Sequence, residues 1–445
     1  MTTPVVAVVG GGQLARMMQE EASALGIHLR VLVESGEGSA GQVTVDAPVG
    51  AAGDGAALRR LVSGHRGEGA EDACGAGAGQ AADVLTFEHE HQDISLLASF
   101  QSEGLSVQPS PQALLLAQDK HVMRRAVARA GLPQPAWAEI GAAAGRTARR
   151  AGPSSADSMA DRMAADVCAF AEVHGWPVVL KTPRGGYDGH GVLLVHDAEA
   201  LEEGPARDWL TAVAGDTRSS AGGGGSLGGG AVTSLLVEQA VPFSRELAVL
   251  VARSPRGQVE TWPVVQTVQA SGMCVEAVAP APGLDPLAAE EAERIARTVA
   301  EEFQVTGVLA VEMFCVEEPG EPARLYVNEL ATRPHNSGHW TQDGAVTSQF
   351  AQHLRAVLDL PLGSAALTAP ATVMVNLVGG PRPPGRQALA RALALEPRAR
   401  VHLYGKSWRP GRKLGHVNLT VAPPETPQEA LERAREVVAV LRGEA

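Results

Sequence analysis

The sequence predicts an α/β protein with an N-terminal parallel βαβ domain, a larger central domain and a small C-terminal domain. Three observations support this prediction. A β-branched run at 5–9 leads through three glycines into a helix and a second strand, which is the order of a parallel βαβ unit. Two apolar strands at 307–316 and 324–330 are joined by a Pro/Gly/Glu turn. The length of 445 residues is enough for about three domains.

The βαβ unit is the first element of the chain. Its helix, 13–25, has apolar residues at helical spacing and Gly26 as a C-cap, and the next strand, 27–33, ends in Glu34. The turn "GGGQLA" fits the G-x-G-x-x-A pattern of a dinucleotide fingerprint. A tight βα turn that needs glycine explains the same letters, and in both cases the helix N-terminus favours an anion. The turn alone therefore leaves NAD binding open.

Further strands and one capped helix are predicted along the rest of the chain. Strand-like runs occur at 82–87, 178–181, 192–195, 234–238, 246–252, 260–268, 307–316, 324–330 and 371–377. The segment Thr426-Pro427-Gln428-Glu429 is a capping box with proline at the first helical position, so we expect a closing helix. Three stretches rich in Gly, Ala and Ser, at 64–80, 142–166 and 214–230, predict exposed, mobile linkers without chemistry.

Charge and composition restrict the class of protein. The formal net charge of −13 argues against nucleic acid, or an anionic membrane, as a partner that needs a broad basic surface. No apolar run has the length of a membrane span. The cysteines are scattered without metal-ligand spacing, which predicts reduced thiols and no zinc site. These observations favour a cytoplasmic enzyme.

The segment "VVLKTPRGGYDGHGV" places a lysine at the end of a strand and four glycines in the loop that follows. Glycines let backbone amides approach a ligand closely, because no Cβ blocks them. A polyphosphate needs such donors together with a cation, which Lys181 supplies. This segment lacks the GKS/T of a Walker A loop. A flexible hairpin turn is the alternative, and Tyr187 and Asp188 within the loop weigh against it.

Two glutamates predict a metal site. If 307–316 and 324–330 pair as an antiparallel hairpin about their turn, Glu312 lies opposite Glu329. Like charges directly opposed on a sheet are unfavourable, and a divalent cation between them would remove the repulsion. With Asn328 nearby, these are hard oxygen ligands of the kind that Mg²⁺ shares with substrate phosphates. A register slip that turns one glutamate to solvent is the alternative.

The stretch "TRPHNSGHWTQDGA", at 332–345, is unusually polar for a segment that follows a strand. It offers Arg333, His335, Asn336, His339 and Trp340 directly after the proposed metal site. This arrangement favours a substrate-binding loop over a solvated loop.

The stretch "GKSWRPGRKLGH" concentrates basic residues in an otherwise acidic chain. They are Lys406, Arg409, Arg412 and Lys413. Such a cluster suits a phosphate monoester, and an ordinary charged surface loop is the alternative.

Seven motifs, taken in order, resemble the ATP-grasp superfamily, and within it the family of 5-(carboxyamino)imidazole ribonucleotide synthases. They are "GGGQLARM", "TFEHE", "AQDK", "LKTPRGGYDGHG", "VEQAVPFSRE", "VNELATRPHNSGHWTQDGA" and "RPGRKLGHVNL". The resemblance covers nearly the whole chain apart from the three expected linkers. It implies an α/β (α+β ATP-grasp) fold, with a Rossmann-like domain at 1–117, an ATP-grasp domain at 118–370 with a mobile lid at about 178–245, and a small C-terminal domain at 371–445.

The resemblance also implies roles for individual residues. ATP would contact Lys120, Lys181, Gly186, Tyr187, Asp188, Gly189, His190, Gly191, Val192, Glu238, Gln239, Ala240, Val241, Glu246, Gln269, Asn328 and Glu329. The ribonucleotide would contact Gln13, Leu14, Glu88, Tyr187, Asn336, Lys406, Arg412 and Lys413. Glu312 and Glu329 would hold Mg²⁺. Lys181, Arg333 and Asp188 would take part in catalysis, with Arg333 holding bicarbonate or the developing anion and Asp188 accepting a proton.

The implied reaction is the ATP- and bicarbonate-dependent carboxylation of 5-aminoimidazole ribonucleotide in purine biosynthesis. A homodimer is implied and biotin is not. Transfer of the γ-phosphate to bicarbonate needs charge neutralisation more than covalent help from the protein. Two positions depart from the family pattern: Gln269 replaces a frequent histidine, which puts that nucleotide contact in doubt, and Thr332 replaces a proline.

Three other functions are compatible with parts of the sequence. A formate-dependent glycinamide ribonucleotide ligase of the same superfamily would share the basic cluster, whereas "HNSGHWTQDGA" favours the carboxylating family. An NAD-dependent dehydrogenase would use "GGGQLA" but leave the paired glutamates unexplained. A nucleotide sensor without turnover would have no need for the intact carboxylate pair.

Overall fold

A computed structural model describes residues 3–64, 79–141, 156–186, 190–215 and 234–444. Tyr187, Asp188 and Gly189, and most of the three stretches expected to be linkers, lie outside the described residues. Among the helices that the structure describes, none combines the length and the apolar character that crossing a bilayer requires.

The described residues form seventeen strands and twelve α-helices. The strands are β1 (Val5–Val9), β2 (His28–Leu32), β3 (Val84–Phe87), β4 (Ser106–Val107), β5 (Trp137–Gly141), β6 (Val178–Lys181), β7 (Val192–Val195), β8 (Ser234–Gln239), β9 (Arg245–Arg253), β10 (Val259–Thr261), β11 (Val265–Ala270), β12 (Met273–Ala279), β13 (Gly307–Val316), β14 (Arg324–Ala331), β15 (Thr372–Val378), β16 (Arg400–Leu403) and β17 (Lys413–Thr420). The helices are α1 (Gln13–Leu25), α2 (Gly55–Ser63), α3 (Ile94–Ser102), α4 (Pro111–Gln118), α5 (Lys120–Arg129), α6 (Ala156–His174), α7 (Pro205–Ala214), α8 (Pro286–Glu302), α9 (Thr341–Gly344), α10 (Gln349–Val357), α11 (Arg386–Leu395) and α12 (Pro427–Arg442).

The N-terminal sheet is parallel and has the strand order β2-β1-β3-β4. Its central strand, β1, is buried on both faces, as expected for a parallel sheet with helices on either side. Val6 and Val8 pack with α1 and α10, whereas Val5, Ala7 and Val9 pack with α2 and α3. The predicted βαβ unit and the Gly26 C-cap are therefore confirmed.

The second sheet is continuous across the centre and the C-terminal part of the chain. Its strand order is β14-β13-β9-β11-β12-β15-β17-β16, with β10 paired to β9. One face of β9, β13 and β14 packs against α5 and α8, and one face of β15 and β17 packs against α11 and α12. The predicted capping box at Thr426 and Glu429 is present at the start of α12. The side chains that alternate away from these helices are the ones available to a site.

A third, antiparallel sheet has the order β5-β8-β6-β7 and is covered by α6 and α7. The prediction of a linker at 142–166 is wrong in part, because α6 begins at Ala156. Alanine is a strong helix former, and Met163, Val167 and Phe170 at helical spacing pack onto the sheet. A high alanine content is therefore not by itself a sign of a linker, because alanine favours a helix where apolar residues recur.

A second correction concerns the predicted strand 260–268, which is two strands, β10 and β11. Both pair with β9. Pro263 lies between them, and because proline has no backbone N–H, it cannot donate a ladder hydrogen bond. Trp262 is fully buried at the break.

One buried histidine joins the N-terminal sheet to the central sheet. His353 of α10 is fully buried, and its Nε2 lies 2.9 Å from Thr86 Oγ1 on β3. The backbone N–H of Val308 on β13 donates to His353 Nδ1 at 3.1 Å. This pair of contacts fixes the neutral tautomer with the proton on Nε2.

Candidate active site

A cavity of about 1000 Å³ lies where the three sheets meet. The small sheet contributes Lys181 and Glu238, and the central sheet contributes Glu312 and Glu329. Gln13 and Glu88, which follow the carboxyl ends of β1 and β3, lie at the other end. Ligands of α/β proteins bind at such strand ends, so this cavity is the first candidate for a site.

Strand alternation aims Lys181 and Glu238 into the cavity. Val178 and Leu180 of β6 face α6 and α7, which leaves Val179 and Lys181 on the cavity side. Lys181 Nζ lies 2.7 Å from Glu238 Oε2 and donates to Asn328 Oδ1 at 3.2 Å. Both ionic side chains are at most one-tenth exposed. This end of the cavity therefore contains a fixed ammonium group.

Arg124 of α5 completes this buried ionic group. Its Nε and Nη2 donate to the two carboxylate oxygens of Glu238 at 2.7 and 3.1 Å, and its Nη1 donates to Val327 O at 2.7 Å. Burial alone would raise the pKa of Glu238, but Lys181 and Arg124 outweigh burial and lower the pKa to about 2. Burial lowers the pKa of Lys181, and Glu238 opposes that change. Two cations thus hold one carboxylate in the charged form.

Glu312 and Glu329 are direct partners in the antiparallel pairing of β13 and β14. The register shifts beside this pair, because Met313 is opposite Val327, so Asn328 is the extra residue of a β-bulge. Ordinary alternation would send neighbouring residues to opposite faces, whereas the bulge lets both Asn328 and Glu329 line the cavity.

The two glutamates differ in their surroundings. Lys120 Nζ donates to Glu329 Oε1 at 3.2 Å, and although burial would raise the pKa of Glu329, Lys120 and Lys181 lower it overall. Burial, followed by the charges of Glu329 and Glu246, raises the pKa of Glu312 to about 8. The cavity therefore disfavours a second negative charge at this point unless a cation joins the pair.

The donor set fits Mg²⁺. Two carboxylates and the amide oxygen of Asn328 are hard ligands, and Mg²⁺ usually takes only one or two carboxylates from a protein, with waters and substrate phosphates as the other ligands. In the part of the chain that the structure describes, no three His, Cys, Asp or Glu side chains form a metal site by themselves.

The glycine turn at the start of α1 is filled by Glu88. The Glu88 carboxylate accepts hydrogen bonds from the backbone N–H groups of Gly12, at 2.5 Å, and Ala15, at 3.1 Å. A Cβ on Gly10 would lie 2.5 Å from Glu88 Cγ, and one on Gly12 would lie 2.4 Å from Glu88 Oε1. The glycines are thus needed by a carboxylate of the chain itself, at the position where a dinucleotide would place its pyrophosphate. This geometry argues against the NAD interpretation.

The polar loop after β14 lines the cavity with Arg333, His335, Asn336 and His339. His335 Nε2 lies 3.2 Å from Glu312 Oε1. Asn336 Nδ2 donates to Cys274 O at 3.1 Å, which fixes the amide. The loop is therefore held in contact with the paired carboxylates.

Comparisons with known proteins agree with this geometry. The family model described as "ATP-grasp domain" matches residues 148–350, and "Ribonucleotide synthetase preATP-grasp domain" matches 1–65. "Phosphoribosylaminoimidazole carboxylase C-terminal domain" matches 372–430. The N5-carboxyaminoimidazole ribonucleotide synthase of Mycobacterium tuberculosis is 47% identical over 418 residues, which are 93% of this chain and 83% of that protein.

The chain belongs to the N5-carboxyaminoimidazole ribonucleotide synthase family. The member from Corynebacterium ammoniagenes is 42% identical over 94% of this chain and 87% of its own length. The Thermus thermophilus structure has a TM-score of 0.74 at 33% identity and covers 99% of both chains. The Aspergillus clavatus synthase in complex with ADP and 5-aminoimidazole ribonucleotide has a TM-score of 0.77 at 28% identity and covers 99% of both chains. The predicted fold class is confirmed.

The structure brings most of the residues predicted for a synthase site into one cavity. Those that line it are Gln13, Leu14, Glu88, Lys120, Lys181, Gly186, His190, Val192, Glu238, Gln239, Ala240, Val241, Glu246, Gln269, Glu312, Asn328, Glu329, Arg333, Asn336 and Lys413. Their individual roles in the synthase stay predictions.

Three residues predicted for the synthase site lie outside the cavity lining. Lys406 Nζ donates to Oε1 of Gln13, which lines the cavity. Arg412 Nη1 donates to Ser407 O, at 3.1 Å, and to Ser407 Oγ, at 2.6 Å. Gly191 packs behind the cavity-lining Gly186, because a Cβ on Gly191 would lie 2.3 Å from Thr182 Oγ1 and 3.3 Å from Gly186 Cα. Tyr187, Asp188 and Gly189 lie outside the described residues.

Sequence reasoning missed four residues of this synthase site. Arg124 donates to Glu238, and Glu90 Oε1 lies 2.8 Å from Nε of the predicted residue Arg333. Phe243 and Phe314 stack at 4.6 Å and both line the cavity. Phe314 lies two residues from Glu312 on the same strand, which is a period-2 signal that could have been used. Arg124 is distant in sequence from its partner and gave no such signal.

Proposed function

We propose that this cavity uses ATP to carboxylate 5-aminoimidazole ribonucleotide, with bicarbonate as the carbon source, in purine biosynthesis. One observation carries the proposal: Glu312 and Glu329 lie opposite each other, beside Lys120 and Lys181. The cavity that they line continues to Gln13. An anionic triphosphate suits the lysine end, and the far end lies at the carboxyl edge of a parallel sheet. Family membership supports both substrates.

On the nucleotide side, Lys181 and Lys120 bind phosphate oxygens. Lys181 is held by Glu238, so little side-chain freedom has to be lost when ATP binds. The stacked rings of Phe243 and Phe314, with 239–241, offer an apolar surface to the adenine. Glu246 and Gln269 lie along the same wall, where they suit the ribose and nucleotide contacts.

Glu312, Glu329 and Asn328 would hold Mg²⁺. When bound, the ion supplies neutralisation of the phosphate charge. The chain's own contribution is to hold Glu329 ionised with Lys120 and to bring Asn328 onto the same face through the bulge.

The carboxylation takes two steps. An oxygen of bicarbonate attacks the γ-phosphorus, and the bond to the bridging oxygen breaks, which gives carboxyphosphate and ADP. The exocyclic amine of the ribonucleotide then attacks the carboxyl carbon, either directly or after CO₂ forms, while phosphate leaves and the amine loses a proton. Arg333, held by Glu90, binds the bicarbonate or the developing anion. Asp188 stays the proposed proton acceptor.

The test is an assay of ADP release by the purified protein with ATP and Mg²⁺. We expect ADP only when 5-aminoimidazole ribonucleotide and bicarbonate are both present. Release with glycinamide ribonucleotide and formate instead would favour the related ligase. ATP binding without turnover under either condition would indicate a sensor.

The resemblance to the family also supports two proposals about the organisation of the protein. One is the division into domains at 1–117, 118–370 and 371–445, with a lid at about 178–245. The other is that the protein is a homodimer in the cytoplasm. Sedimentation of the purified chain would test the oligomeric state.

A further inference from the structure

Two segments from opposite ends of the chain are joined beside the ribonucleotide end of the cavity. Residues 39–42 follow β2, and residues 404–406 follow β16. Ser39 Oγ donates to Tyr404 O at 2.6 Å, and Gln42 Nε2 donates to Gly405 O at 2.7 Å. We call these two segments the clasp.

The first turn of α1 holds both halves of the clasp. Arg16 Nη1 donates to Ser39 O at 2.9 Å and to Gln42 Oε1 at 3.4 Å. Gln13, three residues earlier and so on the same helix face, accepts from Lys406 Nζ. Gln13 also lines the cavity, so the clasp brings a C-terminal ammonium group to the wall of the site.

Tyr404 anchors the clasp in the protein interior. It is 1% exposed, and its ring packs in the apolar core formed by β1, β2 and α1. Its hydroxyl lies 2.8 Å from Nδ1 of the fully buried His416. Lys406 Nζ lies 5.7 Å from the centroid of the Tyr404 ring, within the range of a cation–π contact.

Gly405 makes the turn between Tyr404 and Lys406 possible. Its φ is +66°, a left-handed conformation that L side chains rarely adopt. A Cβ there would also lie 2.2 Å from Gln42 Oε1 and 2.8 Å from Arg16 Nη1. The close approach of the two segments therefore depends on the absence of a side chain at this position.

From these contacts we infer that the clasp is a positioning element for the phosphate of the ribonucleotide: it holds Lys406 against Gln13, so that the substrate does not have to order a long, flexible lysine. Ser39, Gln42 and Tyr404 act through Lys406 and do not touch substrate themselves. The inference rests on the proposed function, because it takes Lys406 as a phosphate ligand.

The test uses Gln42→Ala, since Gln42 is exposed and its loss leaves the core intact. We expect the KM for 5-aminoimidazole ribonucleotide to rise about three- to tenfold, because the variant loses the hydrogen bonds that join Gln42 to Gly405 O and to Arg16. The KM for ATP and the thermal midpoint should stay unchanged. Gln101→Ala removes another exposed glutamine of the N-terminal domain and is the matched control, with wild-type constants expected.

A double-mutant cycle with Lys406→Met distinguishes positioning from a general structural effect. Once the ammonium group is gone, Gln42→Ala should raise the KM for the ribonucleotide by less than about twofold further. The inference fails if Gln42→Ala behaves like Gln101→Ala, or if its full effect persists without Lys406. A wild-type protein without ribonucleotide-dependent ADP release would instead overturn the proposed function.

Discussion

Glu312 and Glu329 lie directly opposite each other on two antiparallel strands, yet the structure gives them opposite pKa shifts. Lys120 and Lys181 lower the pKa of Glu329, whereas burial and the charge of Glu329 raise the pKa of Glu312 to about 8. A pair arranged in this way costs folding free energy, which a bound cation would offset. Substitutions of this pair should therefore lower activity without lowering the stability of the fold.

Glu312→Gln and Glu329→Gln should each lower ATP turnover by on the order of 100-fold or more, because a ligand of the expected cation is lost. Glu312→Gln should leave the thermal midpoint unchanged or raise it, since the folded state then no longer has to bury an ionisable carboxyl group whose pKa is raised to about 8. ADP release and thermal unfolding measure the two effects. Glu301→Gln, an exposed position on α8, is the control. Near-normal turnover in both site variants would contradict the metal assignment.

Lys181→Met and Arg124→Met should differ in their effects. Arg124→Met removes both hydrogen bonds to Glu238 and the one to Val327 O, so we expect a loss of about 3 kcal/mol or more in the free energy of unfolding. Lys181→Met leaves Glu238 paired with Arg124 and should cost less, but it should abolish most ATP turnover. Denaturant unfolding and ADP release separate the two. Equal loss of stability would mean that Arg124 does not dominate the pairing.

Gly12→Ala should destabilise the protein by about 1–3 kcal/mol, because the new Cβ would lie 2.4 Å from Glu88 Oε1. Gly12 has φ of −85°, so backbone strain is not the cause. Gly36→Ala is the matched control, since a Cβ there meets nothing within 4 Å. Thermal unfolding compares the variants. A stable Gly12→Ala protein that binds NAD would restore the dinucleotide interpretation.

His353 predicts a pH dependence of stability. Burial lowers its pKa to about 3. Above the pKa of about 6.5 that an unfolded chain has, neither state takes the proton; below it only the unfolded state does, so stability falls as the pH falls toward 3. This change approaches about 1.4 kcal/mol per pH unit.

His353→Gln cannot take up this proton. At pH 7.5 the variant should be less stable by about 1–3 kcal/mol, because the contacts to Thr86 and Val308 are weakened. At pH 5.5 the difference should shrink by about 1 kcal/mol. Denaturant unfolding at the two pH values measures it. A constant difference would show that His353 titrates alike in both states.

The sequence predicted those parts of the site that follow from local patterns. The turn between β13 and β14 predicted Glu312 opposite Glu329, and the strand pairing confirms it. The glycine loop after Lys181 indicated phosphate binding, which stays a prediction. The bulge at Asn328 could not be predicted, because an extra residue in a strand leaves no mark in apolar alternation.

Contacts between distant segments were also beyond the sequence pattern. Arg124 is 114 residues from Glu238, and Ser39 is 365 residues from Tyr404. Composition misled at α6, where alanine favoured a helix once Met163 and Val167 found a sheet to pack on. The helix propensity of alanine agrees with the observed helix, but packing of its apolar face against the sheet is what stabilises that helix.

The pairing of β12 with β15 makes the C-terminal portion inseparable from the centre of the protein. A chain cut at residue 370 would expose the backbone donors and acceptors that Glu276–Ala279 now give to Thr372–Val375. Such a bare strand edge recruits other chains and promotes aggregation. Truncation should therefore yield an insoluble product and not a smaller ligase. The two fragments would have to be co-expressed to form the pairing, because they could not be mixed after separate purification.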